Sequence, residues 1–268
     1  KVMIKKLGSV PFLNSKPLTY SFDKGLCLNY KTQFYYPSEL LDSLKSKETF
    51  LSLLSIADHF SDPNIISLED YCISAEGKVD SVILAANSDI NKLETVYLDP
   101  ISKSANLLFK VIQENFLNNK VSYSFLQPKI KNSYIPNSGQ VIIGDLALKF
   151  LSQRPSGLRI YDLAELWNKE TSLPFTFATF NYDIDQPSNE EVQLLKDSFE
   201  KGSENIDALI KDFIIENNSQ VKLKILETYL KERIIYKLTM RHIEGINLFY
   251  RLSSKFAKWE KRSFNNLL

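Results

Sequence analysis

Apolar positions in the first two-thirds of the chain come in short runs separated by polar and turn residues. Ile4–Val10, Leu28–Tyr36, Phe50–Ile56 and Ser81–Ala86 make one series of strand candidates. Thr95–Asp99, Val121–Leu126, Val141–Ile143 and Phe175–Phe180 make a second. Several are almost continuously apolar, the pattern of strands covered on both faces of a sheet. Helical spacing falls between them, over Pro17–Phe22, Ser38–Leu44, Ser104–Asn115 and Leu146–Leu151. In the third of these, Leu107, Leu108, Val111 and Ile112 share one face. Strands alternating with helices predict an α/β fold with mixed, mainly parallel sheets flanked by helices.

After Pro187 the pattern changes. Ser188-Asn189-Glu190-Glu191 reads as a capping box, a hydroxyl followed three residues later by a carboxylate. From there to Trp259 the chain reads as consecutive helices, broken near Gly202, Asn217-Asn218 and Gly245. Two α/β series and a helical tail suit two lobes, the second inserted into the first and the tail returning to cover lobe one. Lys255, Lys258, Lys261 and Arg262 read as a solvated helix face.

Length and charge narrow the function classes. The 268 residues suffice for one large domain or two small ones, and 33 basic against 32 acidic residues leave a net charge of +1. That balance gives no electrostatic reason to expect nucleic acid or an anionic membrane as partner. Cys27 and Cys72 fit neither a redox pair nor a zinc cluster, and read as two buried thiols. No apolar run near the start is long enough for a secretory signal and none elsewhere for a membrane helix, so a cytoplasmic location is expected. None of the eight glycines forms G-x-G. Gly139 to Gly144 has P-loop-like spacing, but Asp145-Leu146 stands where Lys-Ser/Thr would hold phosphate and magnesium. His59 and His242 are the two histidines, and no metal site is expected from their spacing. An enzyme built this way would need no cofactor and would work with hydroxyls, amides and backbone donors.

Several segments carry such groups. Asn14 and Ser15 lie between a strand and a helix, where open α/β sheets bind ligands, although Asn14 read alone is most simply a helix cap. Ser81 opens an apolar strand. Ser102, Lys103 and Ser104 begin a helix whose free amides suit a carboxylate, with simple capping an equal explanation. Val141-Ile142-Ile143-Gly144-Asp145-Leu146 reads as strand, tight turn and helix.

Taken in order, these segments resemble the chorismate dehydratase family. Leu13-Asn14-Ser15-Lys16-Pro17-Leu18 matches the family's L-N-x-x-P-L, and Gly77-Lys78-Val79-Asp80-Ser81 its G-P-V-x-S. Ile143-Gly144-Asp145-Leu146-Ala147-Leu148 is its I-G-D-x-A-L intact. Tyr161–Trp167 and Thr171–Ala178 match its Y-D-L-x-x-L-W and T-G-L-P-F-V-F-A. Lys78 replaces the usual proline, Ser172 the usual glycine and Phe180 the usual tryptophan. Ala105 and Phe50 stand where relatives often carry serine and aspartate.

The resemblance implies a two-lobed fold like that of type II periplasmic binding proteins, with ligand held between hinged lobes. The crossings are expected near Ser88–Lys92 and Tyr182–Pro187, giving lobe one as residues 1–88 and 187–268 and lobe two as 89–186. The implied reaction converts chorismate, a small dicarboxylate, to 3-[(1-carboxyvinyl)oxy]benzoate and water on the futalosine route to menaquinone. Asn14 and Ser81 correspond to the residues expected to orient the substrate. Ser15, Ser55, Ser102, Lys103, Ser104 and Gly144 are the further expected contacts, and Asp145 is expected to be a structural cap or hinge partner. Two other readings share the architecture: a non-catalytic binding protein for a small organic acid, and dihydroxynaphthoate synthase. The latter's S-P-C-P-N-D pattern is replaced here by Val10-Pro11-Phe12-Leu13-Asn14-Ser15.

Overall fold

The computed structural model describes residues 3–125, 135–260 and 263–266; Leu126, Lys261 and Arg262 of the segments above lie outside them. Along the chain, β1 (Lys5–Ser9), α1 (Lys16–Asp23), β2 (Tyr30–Phe34), α2 (Leu40–Lys45), β3 (Leu51–Ser55), α3 (Ile56–Ser61) and β4 (Ile66–Ala75) come first. Next are β5 (Val82–Ala86), β6 (Thr95–Tyr97), α4 (Lys103–Phe116), β7 (Ser122–Ser124), β8 (Ser138–Ile143), α5 (Gly144–Gln153), β9 (Arg159–Asp162) and α6 (Leu163–Thr171). The chain closes with β10 (Phe175–Tyr182), α7 (Asn189–Glu204), α8 (Ile206–Glu216), α9 (Leu223–Thr228), β11 (Ile235–Lys237) and α10 (Met240–Ser253).

The strands form two sheets, ordered β11-β4-β10-β3-β1-β2 and β7-β6-β8-β5-β9. Within each, a parallel trio (β2-β1-β3 and β7-β6-β8) adjoins antiparallel strands, so the sheets are mixed rather than mainly parallel. The two orders share a plan. Beside each trio lies a strand delivered from the other lobe: β10 between β3 and β4, β5 between β8 and β9.

This exchange corrects the expected lobe boundaries. Since β5 belongs to the second sheet and β10 to the first, the chain crosses between Ala75 and Val82 and again between Thr171 and Phe175. The expected crossings near 88–92 and 182–187 come one strand late each time. Apolar runs such as Val82–Ala86 reveal a buried strand but not which sheet it joins.

Both crossings are tied down. Asp162 Oδ2 accepts from the amides of Val79 (2.9 Å) and Asp80 (2.7 Å), while its Oδ1 caps α6 through Ala164 (3.0 Å) and Glu165 (3.1 Å). At the second crossing Trp167 Nε1 donates to the Pro174 carbonyl at 3.3 Å, and its ring packs edge-on to Phe175 and Phe249.

The tail departs from the all-helical expectation. A wide π-turn over Tyr229–Arg233 leads into β11, which pairs with β4. The expected capping box is present: Ser188 Oγ accepts from Glu191 N (3.2 Å) and Glu191 Oε2 from Ser188 N (2.8 Å). The break expected near Gly202 falls at Asn205, between α7 and α8, and the one expected near Asn217-Asn218 follows α8, while Gly202 itself and Gly245 lie inside α7 and α10. They permit close approach instead: a Cβ would stand 2.1 Å from the Pro17 carbonyl oxygen at Gly202 and 2.5 Å from that of Pro174 at Gly245. Among the described residues no helix is long and apolar enough to cross a membrane.

Candidate functional site

A cleft with about 690 Å³ of empty space, its solvent mouth included, opens between the two sheets. It lies where open α/β sheets place ligands, beyond the carboxyl ends of parallel strands. From the first lobe come Val10, Phe12 and Asn14 after β1, Pro37 and Leu40 at the start of α2, and Leu53 and Ser55 from β3. Ile73, Phe177 and Ala178 complete that side. The second lobe supplies Ser81 and Val82, Ser102 and Ser104 at the start of α4, and Ile143 and Gly144 where β8 turns into α5. The walls are mostly apolar, with two phenyl rings, and none of these lining side chains is charged. Hydroxyls, an amide and helix-start N–H groups supply the polarity, an arrangement that desolvates a ring while offering directed donors.

Of the eight site residues expected from sequence, Asn14, Ser55, Ser81, Ser102, Ser104 and Gly144 converge on this cleft. Ser15 does not. It is fully buried and its hydroxyl donates to the carbonyls of Val10 (2.8 Å) and Phe12 (2.9 Å), shaping the turn that presents Asn14. Lys103 stands at an adjoining mouth rather than in the cleft, its ammonium 2.7 Å from Asp58 Oδ1.

Hydrogen-bond direction sorts the convergent residues further. Ser55 caps α3 and gives its only proton to Asp58 Oδ2 at 2.8 Å, so it has none left for an anion. The Gly144 amide is spent on the Ser81 carbonyl (2.7 Å); Gly144 holds Ser81 rather than ligand. By contrast Ser102 and Ser104 act as acceptors within the chain, from Ala105 N (3.2 Å) and Ala57 N (3.1 Å). Their hydroxyl protons are left to point at a ligand. The first amides of α4, a 14-residue helix, have no carbonyl behind them and carry the positive end of its dipole.

Three residues stand behind the lining, and two of them, Tyr229 and Tyr236, escaped the sequence reading. Asp145 reaches across the lobes, its Oδ1 accepting from Leu13 N at 3.3 Å beside Asn14. Burial pushes its carboxyl up to about 6, against the opposing effects of that amide and Lys16. Asp145 was expected only as a cap or hinge partner; the particular amide could not be foreseen. The Tyr236 hydroxyl donates to the Asn14 carbonyl at 3.0 Å. Tyr229 is fully buried, and burial, with the charges of Asp145 and Asp80, raises its pKa, while the adjacent Ser81 and Asn14 side chains act the other way. Both tyrosines come from a stretch read only as helical tail, more than two hundred residues from Asn14, and no local signal marks them.

A six-stranded and a five-stranded sheet that trade a strand at each crossing, with a ligand-sized cleft between them, define a two-lobed binding-protein fold. The alkanesulfonate-binding protein SsuA of Xanthomonas axonopodis pv. citri, bound to MOPS, superposes with a TM-score of 0.69 at 13% identity, over 98% of this chain and 96% of its own. Protein AF1704 of Archaeoglobus fulgidus gives 0.73 at 14% identity, over 94% and 97%. Sequence places the chain more narrowly. Residues 5–255 match the menaquinone biosynthesis family, and the chain belongs to it. A curated relative, the chorismate dehydratase of Campylobacter jejuni subsp. jejuni serotype O:23/36 (strain 81-176), is 26% identical over 250 residues, covering 90% of this chain and 94% of that protein.

Proposed function

We propose that the chain is a chorismate dehydratase, a hydro-lyase that converts chorismate to 3-[(1-carboxyvinyl)oxy]benzoate and water. The observation that carries this reading is the convergence of Asn14, Ser81, Ser102 and Ser104 on one apolar cleft without a charged lining side chain. Such a cleft suits a six-membered ring. One substrate carboxylate rests on the α4 amides and the Ser102 and Ser104 hydroxyls, with Lys103 at the mouth drawing the dianion inward. The Phe12 and Phe177 rings flank the substrate ring. Asn14 and Ser81 orient the departing hydroxyl and the enolpyruvyl ether.

Elimination needs a base, and the lining side chains are poor bases at neutral pH. The proton therefore passes to the substrate's own enolpyruvyl carboxylate, which the cleft holds beside the ring. A well-held intramolecular group can contribute roughly 7–11 kcal/mol of effective concentration. The ring C–H bond breaks, its electron pair enters the ring, and the neighbouring C–O bond breaks. The departing hydroxide takes a proton to leave as water, and aromatisation drives the step. No cofactor enters this scheme. The family membership and the Campylobacter relative support the substrate assignment.

The test is incubation with chorismate and mass analysis of the product. Wild type yields a product lighter by one water, and Asn14→Ala and Ser81→Ala each lower kcat by about 10²-fold, the range for a lost transition-state donor. Unchanged chorismate, the behaviour of a protein that only binds, would defeat the assignment. Full rates in both variants would defeat the roles given to Asn14 and Ser81.

A further inference from the structure

One short stretch of the tail, Tyr229 to Tyr236, reaches behind both residues assigned to the chemistry. Tyr236 fixes the backbone of Asn14 from its carbonyl side. Arg233 Nε donates to Asp80 Oδ2 at 2.9 Å, holding the residue just before Ser81. Asp80 itself sits in the left-handed region, with φ of 64°, so the approach to Ser81 is set by an uncommon backbone turn. Between these two anchors stands Tyr229, fully buried beside the Asn14 and Ser81 side chains. Neither its hydroxyl nor Asn14 Oδ1 meets a partner at hydrogen-bonding geometry, and both are shut off from water.

Orphaned polar atoms cost stability when buried, and each calls for an explanation. Two of them side by side, one on the residue that orients the substrate, point to a pair that completes its bonding as substrate closes on Asn14. The wide turn over Tyr229–Arg233, closed by the Ile234 amide on the Tyr229 carbonyl at 3.2 Å, belongs to the same arrangement. A five-residue turn is less favourable than an α-turn, and here it carries Tyr229 inward at the point where the tail meets the cleft.

We propose that Tyr229 is a positioning residue of the cleft: its hydroxyl steers the Asn14 amide and the Ser81 hydroxyl during turnover. The C-terminal tail is then a working part of the site as well as a cover for lobe one. The inference rests on the dehydratase reading. It assigns Tyr229 no contact with the reacting atoms.

Tyr229→Phe removes the hydroxyl and keeps the ring. The expected result pairs two opposite changes. The unliganded melting temperature stays level or rises, because an unpartnered buried hydroxyl is gone, while kcat on chorismate falls about tenfold with KM within about twofold. Tyr236→Phe is the contrast, since it strips a hydrogen bond already made and lowers the melting temperature. A purely structural Tyr229 would not separate kcat from stability. Full kcat in Tyr229→Phe, or a clear fall in its melting temperature or failure to fold, would overturn the inference and leave the dehydratase reading in place. A wild type inert toward chorismate would remove both together.

Discussion

Asp145→Asn should make the protein more stable at neutral pH, and the gain should vanish in acid. The carboxyl of Asp145 is held at about 6 against an ordinary value of 3.8, chiefly by burial. Folding therefore favours its protonated form. Well below pH 3.8 the group is protonated whether folded or unfolded and costs nothing; as pH rises from 3.8 to about 6 the unfolded chain ionises while the folded protein keeps the proton, stability is lost, and above that window the loss is complete. The difference between 3.8 and about 6 corresponds to about 3 kcal/mol at neutral pH. Asparagine sheds that penalty and still offers an oxygen to Leu13 N across 3.3 Å; the value near 6 already contains the pull of that amide on the charged form, so nothing further is subtracted. The net gain is about 3 kcal/mol, or about 6–9 °C for a chain of this size. Melting curves of both proteins from pH 3 to pH 8 read it directly. The difference should open from near zero at pH 3 to its plateau above pH 6.5. A difference independent of pH, or a variant less stable at pH 7.5, would refute the reasoning.

Two further substitutions probe positions with positive φ. Gly144, at φ of 63°, faces the Phe12 ring, and an added Cβ would lie 3.3 Å from it. Gly144→Ala should cost about 1–2 kcal/mol in urea unfolding and raise KM, because Phe12 must shift from the cleft wall and the amide that holds Ser81 is disturbed. Ser172 ends α6 at φ of 57°, where the family's usual glycine would be unstrained. Ser172→Gly should stabilise by about 0.5–1 kcal/mol, the left-handed penalty less the added freedom of glycine when unfolded; a destabilised variant would mean that the serine side chain earns its place.

What the sequence discloses is local. The Ser188–Glu191 box, the α4 face and the turn at Gly144 follow from neighbours within a few positions, and they hold in the structure. Strand membership is not local: Val82–Ala86 looks the same whichever sheet receives it, which is why the lobe boundaries shifted by a strand. β4, with Glu69 and Asp70 in mid-strand, and the three-residue β11 carry too little periodicity to register. In the site, residue types pointed to the right segments, since a serine or asparagine at a strand end or helix start is visible in sequence. The direction of each hydrogen bond is not. Ser55 gives its proton to Asp58, and Gly144 gives its amide to Ser81, because of partners that only the folded chain supplies. Tyr229 and Tyr236 lie further still from prediction, brought to Asn14 by the return of the tail.

The central claim is that the cleft between the sheets holds chorismate with one carboxylate on the start of α4. The most direct measurement is a crystal structure of Ser81→Ala, slowed in turnover, grown with chorismate. The account predicts density between the Phe12 and Phe177 rings, a carboxylate on the Ser102 and Ser104 hydroxyls and the first α4 amides, and the enolpyruvyl group beside Asn14. Chorismate bound outside this cleft, or within it with both carboxylates turned away from α4, would contradict it.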